Sequence, residues 1–141
     1  MVFDEKANLV DTLACPARVS EAIEKEAKKI AIQVATALNS PGIFAIEMFL
    51  DKDNKIYVNE TAPRPHNSGH HTIEACNVSQ YDQLLRILCG IDPCEVELYQ
   101  PAVMMNVLGP DDVNGEYTLQ NLDKILTIPG VYLHLYNKKI I

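Results

Sequence analysis

The sequence predicts an α+β chain, on three observations. Residues 43–50 and 55–61 alternate on either side of a polar stretch, Asp51-Lys52-Asp53-Asn54, which predicts an antiparallel hairpin. Residues 20–39 carry an apolar stripe at helical spacing. From residue 71 onward, short helical and short strand patterns follow one another without an internal repeat or a low-complexity segment.

Met1 to Lys6 shows no obvious element. Ala7 to Cys15 reads as a strand ended by Pro16, with Leu9 and Leu13 as core candidates. Ser20 to Asn39 is the clearest helix. Ser20 suits its N-cap, Glu21 and Glu24 sit near its start, and Pro41-Gly42 is its expected stop. Its stripe is Ile23, Ala27, Ile30, Ala31, Val34 and Leu38, and Lys25, Lys28 and Lys29 belong to a solvated face. After the hairpin, His71 to Asn77 reads as a short helix. Ser79 to Cys89 reads as a second, with Tyr81, Leu84, Leu85 and Leu88 at core spacing and Gly90 as its stop. Asp92-Pro93-Cys94 is a turn. Ala102 to Leu108 reads as a strand, Gly109 to Asp112 as a turn, Tyr117 to Leu126 as a short helix, and Val131 to Tyr136 as a final strand after Pro129-Gly130.

The 141 residues are enough for one domain or slightly more, and 48% hydrophobic content is ordinary for a globular chain. A formal charge of −7, from 12 basic and 19 acidic residues, argues against general nucleic-acid binding, which wants a basic face. No apolar run approaches the roughly 20 residues that span a bilayer, and the N-terminus has no signal pattern. Cys15, Cys76, Cys89 and Cys94 lack C-x-x-C spacing and read as free thiols of a reducing cytoplasm.

The hairpin and the loop after it hold the chemistry. With Asp51 to Asn54 as the loop, Leu50 pairs with Lys55, Glu47 faces Val58, and Glu60 faces Ala45. Both glutamates then share a face with Phe49, Ile56 and Val58, one diagonal step apart. Carboxylates on an apolar face are costly to bury without a partner. A hard divalent cation such as magnesium is one such partner; the other reading leaves both glutamates at a sheet edge in water. Beyond Glu60, Pro63 and Pro65 rule out helix and central strand, so residues 62–70 form a rigid loop. It presents Arg64, His66, Asn67 and Ser68. An arginine there suits a flat oxyanion. His66 acts on such an anion or satisfies a loop carbonyl. Asn67 and Ser68 contact substrate or lock the loop.

These residues also carry a resemblance. V-N-E-T-A-P-R-P-H-N-S-G-H over residues 58–70, followed by T-I-E-A-C and S-Q-Y, resembles the signature of carboxyaminoimidazole ribonucleotide synthetase. That is the ATP-grasp enzyme of purine biosynthesis, also found as the ATPase part of phosphoribosylaminoimidazole carboxylase. The likeness extends through A-C-P-A-R-V-S upstream and A-V-M-M-N-V-L-G and V-Y-L-H-L-Y-N-K downstream. It covers the whole of this chain but only the later part of the family's.

The resemblance implies the C-terminal half of an ATP-grasp domain over 1–91, an antiparallel sheet with flanking helices, and a small, truncated C-terminal domain over 92–141. It implies that Glu47 and Glu60 hold magnesium against the phosphates of ATP. Ala62 stands where many ATP-grasp enzymes have an asparagine ligand. Arg64 and His66 match the bicarbonate-binding positions, so the implied catalytic pair is Arg64 and His66, with Asn67 and Ser68 beside them. His70, His71 and His134 are expected to be structural, and Lys138 and Lys139 resemble a position near the last functional segment. The implied reaction is ATP-dependent carboxylation of aminoimidazole ribonucleotide with bicarbonate through carboxyphosphate, by a cytoplasmic homodimer without nucleic acid or membrane. The family's R-P-G-R-K-x-G-H motif, its N-terminal domain and its nucleotide-clamping half have no counterpart here, so the isolated chain is expected to lack full activity. The alternatives are a non-catalytic product that associates with the missing half, and another ATP-grasp carboxylate–amine ligase.

Overall fold

The computed structural model describes residues 2–4, 9–107 and 115–136. The chain divides into two units, Met1–Met105 and Asn106–Ile141. In the first, strand β1 (Val2–Asp4) pairs antiparallel with β2 (Leu9–Cys15), so the first six residues do contain an element. On its other edge β2 pairs with β5 (Ala102–Met105), which sets Leu13 against Met104 and Cys15 against Ala102. β5 is the expected strand from Ala102, cut shorter; the turn expected at 109–112 lies outside the described residues.

Helix α1 (Glu21–Leu38) starts where its cap places it. The Ser20 hydroxyl accepts from the Ile23 N–H (3.4 Å), satisfying one of the free donors of the first turn. Its stop comes before Pro41-Gly42: Asn39 turns left-handed (φ 46°) and donates to the Thr36 carbonyl. The lysines lie on a solvated face, as expected, in ion pairs Lys25–Glu21 (2.7 Å), Lys28–Glu24 (2.6 Å) and Lys29–Glu26 (3.6 Å). Exposed pairs of this kind contribute little.

The hairpin is β3 (Ala45–Leu50) and β4 (Ile56–Ala62), and its register differs from the expected one. Asp51 N–H donates to the Lys55 carbonyl (3.0 Å) and Asn54 takes φ 60°, so the loop is the three residues Lys52, Asp53 and Asn54. The Asp51 carboxylate fixes it by accepting from the N–H groups of Asp53 (2.9 Å) and Lys55 (2.8 Å). Leu50 therefore pairs with Ile56, Phe49 with Tyr57 and Met48 with Val58. A bulge follows, after which Glu47 pairs with Glu60, Ile46 with Thr61 and Ala45 with Ala62. Asn59 is the unpaired residue. The glutamates are thus directly opposite rather than diagonal, and Tyr57, not Ile56 or Val58, accompanies Phe49 on their face.

A 3₁₀ turn at Asn67–Gly69 leads into the short helix α2 (Thr72–Ala75). Helix α3 (Gln80–Leu88) has a full capping box: Asp82 N–H donates to Ser79 Oγ (3.1 Å), and Ser79 N–H donates to Asp82 Oδ2 (3.1 Å). Gly90 (φ 68°) follows its end. Of the stripe expected to enter the core, Leu84 is half-buried, whereas Tyr81 is 40%, Leu85 60% and Leu88 71% exposed. The buried face of α3 carries Gln83, which accepts from the Cys94 N–H (3.1 Å) and donates to the Cys94 carbonyl. That pair holds the 92–99 segment, which returns to bridge Leu98 with Cys76.

In the second unit, helix α4 (Leu122–Leu126) is shorter than the pattern from Tyr117 suggests, because Asn121 is left-handed (φ 60°) and cannot continue a helix upstream. Residues 131–136 form no strand, although they have the alternation of one. Lys138 and Lys139 lie outside the described residues. No described helix is long and apolar enough to cross a membrane.

Candidate active site

Glu47 and Glu60 meet across the hairpin because the bulge at Asn59 brings Glu60 level with Glu47. Glu47 is 9% exposed, whereas Glu60 faces solvent. His66 arrives from the loop beyond β4. One ligand atom each from Glu47, Glu60 and His66 lie within 4.8 Å of one another. His66 Nε2 is 3.9 Å from Glu47 Oε1, adjacent to it but too far for a hydrogen bond.

The tautomer of His66 follows from its neighbours. The Ser68 N–H, which can only donate, points at Nδ1 (3.4 Å), so Nδ1 carries the lone pair. Ser68 Oγ lies 3.0 Å from the same nitrogen and donates to it. The proton of the neutral ring is then on Nε2, the nitrogen that faces Glu47. The Ser68 side chain thus bonds within the loop, to His66. Asn67 supplies its carbonyl to the His70 N–H (3.1 Å).

Arg64 is exposed, and Nη1 donates to the Pro65 carbonyl (3.1 Å). Among the described residues no ion pair links it to either glutamate. It stands two residues from His66, available to an anion from solvent. His71 Nδ1 donates to the Ser68 carbonyl (3.0 Å), and His70 stacks on Tyr81 with ring centres 6.0 Å apart. His71 is thus a histidine that satisfies a loop carbonyl.

One residue escaped the sequence reading. Gln80, the first residue of α3, accepts the His66 N–H at Oε1 (2.9 Å) and donates from Nε2 to the His66 carbonyl (2.9 Å). A glutamine in the first turn of a helix reads as surface. Its only sequence signal is its place immediately after the cap Ser79, within the S-Q-Y run.

The hairpin, its facing carboxylates and the rigid loop beyond define an ATP-grasp protein: residues 4–81 match the ATP-grasp domain model, and the chain belongs to the ATP-grasp family. More particularly, residues 102–141 match the phosphoribosylaminoimidazole carboxylase C-terminal domain. The chain is 39% identical over 140 residues to phosphoribosylaminoimidazole carboxylase of Schizosaccharomyces pombe, covering 95% of this chain and 25% of that protein. It is similar to the crystal structure of N5-carboxyaminoimidazole ribonucleotide synthetase from Thermotoga maritima (49% identity, TM-score 0.86), covering 92% of this chain and 36% of that one. It is also similar to the Aspergillus clavatus N5-carboxyaminoimidazole synthase in complex with ADP and 5-aminoimidazole ribonucleotide (36% identity, TM-score 0.87), covering 99% and 37%. The chain spans about a quarter to somewhat over a third of the length of these relatives.

Proposed function

We propose that this chain carries the cation- and bicarbonate-handling part of an ATP-dependent carboxylation of aminoimidazole ribonucleotide. The observation that carries the reading is the nearly buried Glu47 directly opposite Glu60, with His66 Nε2 beside them. The nearly buried carboxylate of Glu47, faced by a second carboxylate, favours a positive partner, and their oxygens suit magnesium. Magnesium held by Glu47 and Glu60 would neutralise charge on the phosphates of ATP.

A bicarbonate oxygen attacks the γ-phosphorus and ADP leaves, giving carboxyphosphate. The amine nitrogen of aminoimidazole ribonucleotide then bonds to the carbon, the carbon–oxygen bond to phosphate breaks, and phosphate departs with that electron pair and takes up the proton the amine loses. Arg64 grips the bicarbonate oxyanion through its guanidinium. His66 donates from Nε2–H to the same anion, which orients it toward the nucleotide. Ser68 holds the tautomer that leaves this proton in place. Asn67 is the remaining polar group of the loop for substrate. The resemblance alone adds cytoplasmic location and a homodimer.

A second reading makes His66 a third ligand, which the 4.8 Å cluster favours and which would select a transition metal over magnesium. Calorimetric titration of manganese and magnesium separates the two. Glu60→Gln is expected to weaken binding at least about tenfold, and His66→Ala to leave it within about twofold. Unchanged affinity in Glu60→Gln overturns the reading. A loss in His66→Ala as large as in Glu60→Gln establishes the second.

A further inference from the structure

We propose that Gln80 is a positioning residue for His66, holding its backbone so that Nε2 faces the carboxylate pair. The inference rests on the reading of His66 as the bicarbonate-orienting group. The orientation of the Gln80 amide is fixed without ambiguity: the His66 N–H can only donate and the His66 carbonyl can only accept, so Oε1 meets the first and Nε2 the second, each at 2.9 Å. The other amide proton reaches His70 Nδ1 (3.0 Å). One side chain thus grips both polar groups of a single residue fourteen positions away, as a strand partner would.

The grip is stiff at both ends. Gln80 follows the capped Ser79, so its Cα is set by the best-anchored turn of α3. Its own N–H donates to Thr72 Oγ1 (3.0 Å), and that hydroxyl donates to the Gly69 carbonyl (2.6 Å), which ties the helix start back to the loop. Gly69 lets the loop lie this close. A Cβ there would stand 2.5 Å from Gln80 Oε1, inside any permitted contact. Backbone held by Gln80 and Nδ1 held by Ser68 leave the ring one placement.

The test uses the uniformly ¹⁵N-labelled chain. A long-range ¹H–¹⁵N correlation at constant pH reads the tautomer of His66, and manganese added below stoichiometry reads its distance from the carboxylates. Wild type is expected to show one species protonated on Nε2, broadened by manganese. Gln80→Leu is expected to lose the single tautomer and to reduce the broadening of His66 at least about threefold, with Thr61 broadened as before. Gly69→Ala, which displaces the amide by contact while leaving its chemistry intact, is expected to give the same signature. A folded Gln80→Leu whose His66 signals match wild type overturns the proposal. If Gln80→Leu does not melt cooperatively, Gly69→Ala and the isosteric Gln80→Glu decide by the same two signals. Manganese that broadens no histidine in wild type defeats the cation reading instead, and the tautomer comparison still decides the role of Gln80.

Discussion

Single side chains here differ in how their surroundings treat charge. Cys15 is half-buried, and burial first, then the neighbouring Cys76 and Glu24, push its thiol above the usual range. Burial also raises Cys76. Since the thiolate is the reactive form, a raised thiol is less reactive at any pH below it. Cys89 is exposed on the last turn of α3. Alkylation followed by peptide mass mapping should therefore label Cys89 first, with Cys15 and Cys76 about tenfold slower. That Glu47, Glu60 and His66 come together was legible from hairpin alternation and the loop beyond it, and the structure sets a ligand atom of each within 4.8 Å of the others. The grip of Gln80 was not. Nothing in local sequence says that a helix-start amide reaches fourteen residues back.

Elements succeeded where local rules decide and failed where partners do. Helix α1 was legible in its cap and stripe. The hairpin was legible as a hairpin but not in register. Both of its faces carry apolar residues, so alternation could not choose between parities, and the choice fell to Asn54 in a left-handed conformation and to the bulge. The 131–136 stretch shows the same limit, since its alternation did not make it a strand. The cap of α3 makes a pH prediction. The Ser79 hydroxyl (2.7 Å) and then its N–H donate to Asp82, which holds that carboxyl below its ordinary range. A depressed carboxyl stabilises the fold above its unfolded value and loses that contribution as pH falls through the folded one. Melting followed by circular dichroism should therefore show Ser79→Ala destabilised at neutral pH, as expected for the loss of a cap. The gap to wild type should narrow on acidification below the ordinary carboxylate range, and the part due to the lost acceptor of the Asp82 N–H should remain.

At the scale of the whole molecule, burial is sparse. In the first unit the buried apolar side chains among the described residues are Leu13, Ala75 and Val78. Stability therefore rests on few positions. Val78→Ala should lower the urea midpoint by the equivalent of about 2 kcal/mol. The double change of Leu85 and Leu88 to Glu, on the exposed side of α3, should move it by less than about 0.5 kcal/mol. A large loss in the double variant would mean that α3 is covered in solution. The bulge has a consequence of a different kind. With flush pairing, Glu47 would face the neutral amide of Asn59, and Glu60 would turn to the opposite side of the sheet. Asn59 is the slack in the hairpin that converts a neutral neighbour into a second negative charge. Removing that one residue would keep the two carboxylates facing, whereas removing any other residue of β4 between Ile56 and Val58 would exchange the faces of the strand on one side of the cut.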